Sequence, residues 1–119
     1  MDVFSLGEMV IDFFPGKEPG SYIRNPGGAP ANVAIGIANN GLEAGFCGKL
    51  GDDDFGHFLA KTLKEHRVSL LCRDFCREAV TTMAFVTLNK AGERSFTFAR
   101  KPGADMFLTE KDIRVSDLE

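Results

Sequence analysis

The sequence predicts an α/β fold in which a parallel sheet flanked by helices carries a small antiparallel β ribbon. Three observations lead there. Apolar and amphipathic runs alternate as strand, helix, strand, helix from Val3 to about His66. A glycine pair, Gly27-Gly28, stands just before the first helical run. The segment from Thr81 to Ala99 is rich in Thr, Phe and Val, with partial alternation on either side of a polar loop.

Val3 to Ile11 reads as one short buried strand, because Val, Phe, Leu, Met and Ile crowd it between a polar start and Asp12. Phe13 to Asn25 contains Pro15, Gly16, Pro19 and Gly20, which punctuate turns and short edge strands standing off the main sheet. Ala31 to Asn39 is a helix. Val33, Ile35 and Ile37 alternate in it with alanines small enough for close packing on a sheet, and Gly41 supplies a left-handed cap. Ala44 to Leu50 is the next strand, and a second helix runs from Asp52 to about His66, with Phe55, Phe58, Leu59 and Leu63 at helical spacing. A short strand follows near Ser69 to Cys72. Thr81 to Leu88 and Arg94 to Ala99 then form a ribbon joined by the loop Asn89-Lys90-Ala91-Gly92-Glu93. Leu108 to Ile113 opens a further helix, with Thr109 as its cap and Asp112 in the capping-box position.

At 119 residues with a formal charge of −3, the chain lacks the basic surface that nucleic-acid binding needs. No apolar run approaches the length required to cross a bilayer, and Met1 leads straight into a strand, so a cytoplasmic protein is the expectation. Cys47, Cys72 and Cys76 are odd in number and form no Cys-x-x-Cys pairs, so they read as reduced packing residues.

The stretch Asn25-Pro26-Gly27-Gly28-Ala29-Pro30-Ala31-Asn32 is the candidate binding element. Paired glycines let a polar ligand approach bare backbone, and the helix that follows directs free N–H groups and the positive end of its dipole into the loop. Pro30 suits the first turn, and Asn32 offers both an amide donor and a carbonyl acceptor. Asp12, at the end of an apolar strand, projects a carboxylate where parallel strands form a ligand crevice, and a carboxylate accepts from two hydroxyls at once. Arg100 carries a planar fork able to hold a hydroxyl, a ring oxygen or a carboxylate, and Phe98 beside it offers a stacking face. The triplet Asp52-Asp53-Asp54 reads as a helix cap rather than a magnesium site. His57 and His66 have no evident carboxylate or serine partner, so no catalytic role is assigned to them. Gly45, Gly48 and Gly51 do not fit the Gly-x-Gly-x-x-Gly spacing, and there is no Walker lysine motif.

Three stretches in order resemble the ribokinase, or PfkB, family of carbohydrate kinases: Gly7-Glu8-Met9-Val10-Ile11-Asp12, the glycine-pair loop with Asn32, Gly41 and Gly51-Asp52-Asp53-Asp54-Phe55-Gly56, and Ser95 to Met106, which is similar to fructokinases. The resemblance covers essentially the whole chain. It implies a ribokinase-like, Rossmann-type parallel sheet with helices on both faces and a small antiparallel lid, built from about residues 13–25 and 80–100, that covers the sugar and often clasps a homodimer. It further implies that Asp12, Gly27, Gly28, Asn32, Phe98 and Arg100 bind a sugar, and that the reaction is ATP-dependent phosphorylation of a primary hydroxyl, with fructose to fructose 6-phosphate expected. The family's base is an aspartate in a Gly-Ala-Gly-Asp loop, which is absent here; Gly103-Ala104-Asp105 lacks the second glycine. The contacts to ATP, Mg2+ and K+ belong to the same missing region. Residues 1–119 are therefore expected to be the N-terminal portion of such a kinase, inactive alone. Two alternatives stand beside this reading: a 2-keto-3-deoxygluconate kinase, since Arg100 equally suits a carboxylate, and a non-enzymatic sugar-binding or dimerisation module.

Overall fold

The computed structural model describes residues 1–72 and 74–118. Among the described residues there are two α-helices and seven strands, the strands dividing between two sheets. The first is wholly parallel, in the order β1 (Val3–Leu6), β4 (Ala44–Cys47), β5 (Val68–Leu70). The second has the order β3 (Tyr22–Gly27), β2 (Val10–Pro15), β6 (Met83–Leu88), β7 (Arg94–Ala99).

The expected single strand from Val3 to Ile11 is two strands. The chain leaves the parallel sheet after Leu6, turns through Gly7-Glu8-Met9, and re-enters as β2 in the other sheet. Hydropathy cannot see this break because Met9, Val10 and Ile11 are apolar and buried on the far side of it. Nor is β1 itself buried: Val3, Phe4 and Leu6 are exposed along an outer strand, whereas central β4 is buried at all four residues. The second sheet is mixed rather than antiparallel. Its two hairpins, β2–β3 and β6–β7, are antiparallel, but β2 and β6 both run outward from the core and pair parallel.

Helix α1 (Ala29–Asn39) lies on the parallel sheet, with Ala31, Ala34 and Ala38 its buried residues and Ile35 and Ile37 packed against the core beside them. Val33 points outward at 53% exposure. The i, i+3, i+7 spacing of the alanines carries this information, and small side chains let helix and sheet approach closely. Gly41, at φ +90°, follows the helix end as expected, and its amide donates to Ala38 O.

Helix α2 (Asp54–Glu65) begins in a tight knot. Asp53 is its N-cap, accepting from Gly56 N at 2.7 Å, and its carboxylate also accepts from Thr81 N at 2.9 Å and Thr81 Oγ1 at 2.7 Å. Gly51 N donates to the same Thr81 hydroxyl, and Gly56 passes so close that a Cβ on it would lie 1.8 Å from Gly51 O. The glycines are there for close approach. Burial alone would raise the Asp53 pKa, but the hydrogen bonds from Thr81 and Gly56, with a smaller contribution from His57, hold it below the ordinary carboxylate value. A depressed folded pKa means that Asp53 stabilises the chain above the unfolded carboxylate pKa and loses that contribution as pH falls through the folded value. Asp53→Ala is expected to lower unfolding free energy by about 2–3 kcal/mol at neutral pH, less in acid, as read by urea denaturation at the two pH values.

The segment after β7 contains three short 3-10 turns instead of the α-helix expected from Leu108. The capping geometry is present: Asp112 accepts from Thr109 N at 2.9 Å. Its other oxygen takes an ion pair from Lys49 at 2.9 Å, both side chains being about one-tenth exposed. That pull toward the end of β4 fixes the turn against the core.

Candidate functional site

Period-2 alternation sorts the second sheet into two faces. Phe13 stacks on Phe85, with ring centroids 4.8 Å apart, and meets Phe55 of α2 edge-on at 5.6 Å; Arg24 lies over Phe58 of the same helix at 4.0 Å. This face rests on α2. The opposite face carries a row fixed by register, Asn25–Asp12–Ala84–Phe98, one residue from each strand in the order β3-β2-β6-β7. Cross-strand partners project to the same side, and a one-residue slip would drive Asp12 into the aromatics on α2.

Asp12 is thus mid-strand in the second sheet, not at the carboxyl end of a strand in the parallel one. It is half-buried, and its carboxylate sits directly over Gly27, where a Cβ would lie 2.1 Å from Asp12 Oδ2. No described residue donates a hydrogen bond to it, and burial pushes its pKa up from 3.8. An acceptor with both oxygens unmet, partly withdrawn from water, is built to receive donors from outside the chain.

Gly28 follows as the N-cap of α1, at φ +101° and with no side-chain cap. A Cβ there would meet Glu8 O at 2.6 Å and Met9 Cα at 3.1 Å. The β1–β2 turn and the α1 N-terminus therefore touch backbone to backbone. Pro30 occupies the first turn, Asn32 N donates to Gly28 O at 3.0 Å, and the Asn32 side chain is exposed one turn into the helix. Asp12, Gly27 and Gly28 are therefore close-packed neighbours, and Asn32 joins them through its backbone amide.

Phe98 and Arg100 form a second group on the same face as Asp12. Phe98 is separated from Asp12 by β6, two inter-strand spacings or about 9–10 Å away. Arg100 lies over the Phe98 ring at 4.1 Å, and Phe96 stacks behind it with centroids 6.0 Å apart. All three are exposed, so this group lines the open side of the row. The geometry adds Asn25 to the candidates. Its place in the Asn-Pro-Gly-Gly run was visible, but the register that sets it opposite Asp12 was not.

The acidic triplet is dispersed among different partners: Asp53 caps α2, while Asp52 pairs with His57 at 3.0 Å and with Arg77 at 3.5 Å. His57 therefore has a carboxylate partner that sequence inspection missed, five residues back across the helix start, and it stacks on Phe75 at 4.3 Å. Among the described residues no group of three or more His, Cys, Asp or Glu side chains is placed to hold a metal ion. No described helix is long and apolar enough to cross a membrane.

Gly27→Ala should separate site from fold. The added methyl must displace the carboxyl end of the Asp12 side chain, which can swing, so the fold is expected to lose no more than about 1–2 kcal/mol while the Asp12 carboxylate is moved off the Gly27 backbone. Thermal melts and the Asp12 carboxyl titration followed by carbon NMR in the variant check this.

A parallel α/β layer, a second sheet presenting the Asp12 carboxylate, and a glycine-pair helix entry define an α/β protein with a small mixed sheet set beside the parallel one. The model of the pfkB family carbohydrate kinases matches residues 1–119, and the chain belongs to that family. It is 49% identical over 117 residues to fructokinase-2 of Zea mays, covering 93% of this chain and 35% of that protein. Among solved structures it is similar to an ATP-bound fructokinase of Xylella fastidiosa, at 35% identity and TM-score 0.87 over 97% of this chain and 38% of that one. It is likewise similar to a Vibrio cholerae O395 fructokinase bound to fructose, ADP and calcium, at 40% identity and TM-score 0.80 over 93% of this chain and 36% of that one. The chain thus spans about a third of the length of the relatives it matches.

Proposed function

We propose that this chain is the sugar-binding part of a fructokinase-like enzyme that transfers the γ-phosphoryl group of ATP to a primary hydroxyl of fructose. The observation that carries the reading is the Asp12 carboxylate, seated on bare Gly27 backbone with no donor of its own. Two vicinal sugar hydroxyls would satisfy both oxygens. The first-turn amides of α1 and the Asn32 amide would take the sugar's remaining oxygens, and Phe98 with Arg100 would border its open side as part of a lid. In this assignment Asp12 binds and orients the acceptor, leaving proton removal and phosphoryl stabilisation to groups outside residues 1–119. The sequence has no Gly-Ala-Gly-Asp loop, and in this reading the 119-residue chain is inactive alone. ATP, Mg2+ and K+ belong to the complete enzyme, which is cytoplasmic and a homodimer through exposed lid residues such as Ile23, Leu88 and Phe96.

The test is a substrate screen of the full-length protein with ATP, paired with fructose titration of the 119-residue chain. Fructose phosphorylation by the former and none by the latter is the expected pattern. Turnover by the short chain, or preference for 2-keto-3-deoxygluconate, would contradict it.

A further inference from the structure

We infer that Asp105 is a positioning residue for the Asp12 site, acting through Thr82; the inference rests on the sugar-binding reading above. Thr82 is 1% exposed, and its hydroxyl donates to Asp105 Oδ1. The carbonyl of the same residue accepts at 3.0 Å from the amide N of Ile11, the residue before Asp12. One threonine therefore joins the turn after β7 to the strand that carries the carboxylate.

The surroundings leave this joint little freedom. Ala104 N donates to Val80 O at 2.8 Å, and Ala104 is 1% exposed. Gly103 lies against the threonine so closely that a Cβ on it would come within 1.9 Å of Thr82 Oγ1. On the other side Thr81 is held by Asp53 through both its amide and its hydroxyl. The Thr81-Thr82 pair is thus clasped by two aspartates, one from the start of α2 and one from the turn after β7. Three segments of the chain converge on it: the entry to β2, the entry to β6 and the exit from β7. Asp53 belongs to the core, and a change there is a stability change. Asp105 closes the clasp from the side that carries Phe98 and Arg100, so it sets where β2, β6 and β7 stand relative to one another, and with them the row Asp12–Ala84–Phe98. A displacement of order 1 Å in such a row is enough to degrade binding strongly.

The experiment uses the full-length protein with four variants. Asp105→Asn keeps an acceptor oxygen for the Thr82 hydroxyl and Asp105→Ala removes it; Thr82→Ser and Thr82→Val make the same contrast from the donor side. Fructose and ATP affinities, the Asp12 carboxyl titration followed by carbon NMR, and thermal melts are recorded for each. Asp105→Ala is expected to weaken fructose binding about tenfold, with Asp105→Asn within about twofold of wild type. ATP affinity should stay unchanged, and the Asp12 titration should move in Asp105→Ala alone of that pair. Should Asp105→Ala fail to fold, Thr82→Val against Thr82→Ser decides the matter. A folded Asp105→Ala protein with unchanged fructose affinity and unchanged Asp12 titration overturns the inference, as does an equal loss of fructose and ATP affinity that asparagine does not rescue. If wild type binds no sugar while the Asp12 titration still responds to Asp105, the coupling stands and the sugar-binding reading falls.

Discussion

On the proposed reading, Asp12→Asn is expected to weaken fructose binding severely while leaving the fold intact or more stable. Asparagine has the same shape but replaces one acceptor oxygen by a donor and removes the charge, so two charge-assisted hydrogen bonds are lost. The expected cost in fructose affinity is about a hundredfold or more. The stability effect has the opposite sign. Burial raises the pKa of Asp12 in the folded chain, so the native state holds the proton more tightly than the unfolded one. The stabilising contribution is full below the ordinary carboxylate pKa and is lost as pH rises through the folded value. At neutral pH the ionised side chain therefore burdens the fold. The variant should melt above wild type at neutral pH and lose the part of the pH dependence that Asp12 supplies in the acid range. Binding in the wild type should fall as pH drops through the raised pKa, because only the carboxylate accepts from two hydroxyls. Calorimetric titration and melts from pH 4 to pH 7 check both halves; a variant that binds fructose normally, or melts well below wild type, contradicts them.

Gly28→Ala is the counterpart, a change whose main expected effect is on the fold. Its backbone stands at φ +101°, and an added methyl would press on Glu8 O at 2.6 Å and Met9 Cα at 3.1 Å. Those atoms are backbone and cannot swing aside as the Asp12 carboxylate can. Left-handed strain and the collision together should cost about 3 kcal/mol or more in urea denaturation. Whatever remains folded must separate the α1 N-terminus from the β1–β2 turn, so binding weakens as well. A loss below about 1 kcal/mol would show that this contact does not govern the junction.

What could be read from residues alone follows from where the signals are local. Both helices, the β6–β7 hairpin and the Thr109–Asp112 cap rest on spacings of three or four residues or on loop chemistry, and each is visible in a short window. The glycine-pair loop was legible because two adjacent glycines before a helix have a backbone reason. The break at Gly7-Glu8-Met9 was not legible, since the hydrophobic run continues across it and only the tertiary fold assigns its halves to different sheets. The same holds for Val33, outward on a helix whose alanines face the sheet. Contacts that join distant segments, such as Asp53 with Thr81, Thr82 with Asp105 and Lys49 with Asp112, leave no trace in local periodicity. The site divides along the same line. Asp12, Gly27, Gly28 and Asn32 could be named as residue types, but the row that aligns Asp12 with Asn25 and Phe98 is a property of strand register.

The most direct test of the central claim is a crystal structure of the protein soaked with fructose. Two sugar hydroxyls are expected within about 2.6–3.0 Å of the Asp12 carboxylate oxygens, with the sugar lying across Gly27 and Gly28. Fructose bound elsewhere, or an Asp12 side chain turned away from Gly27 toward a partner within the protein, would contradict it.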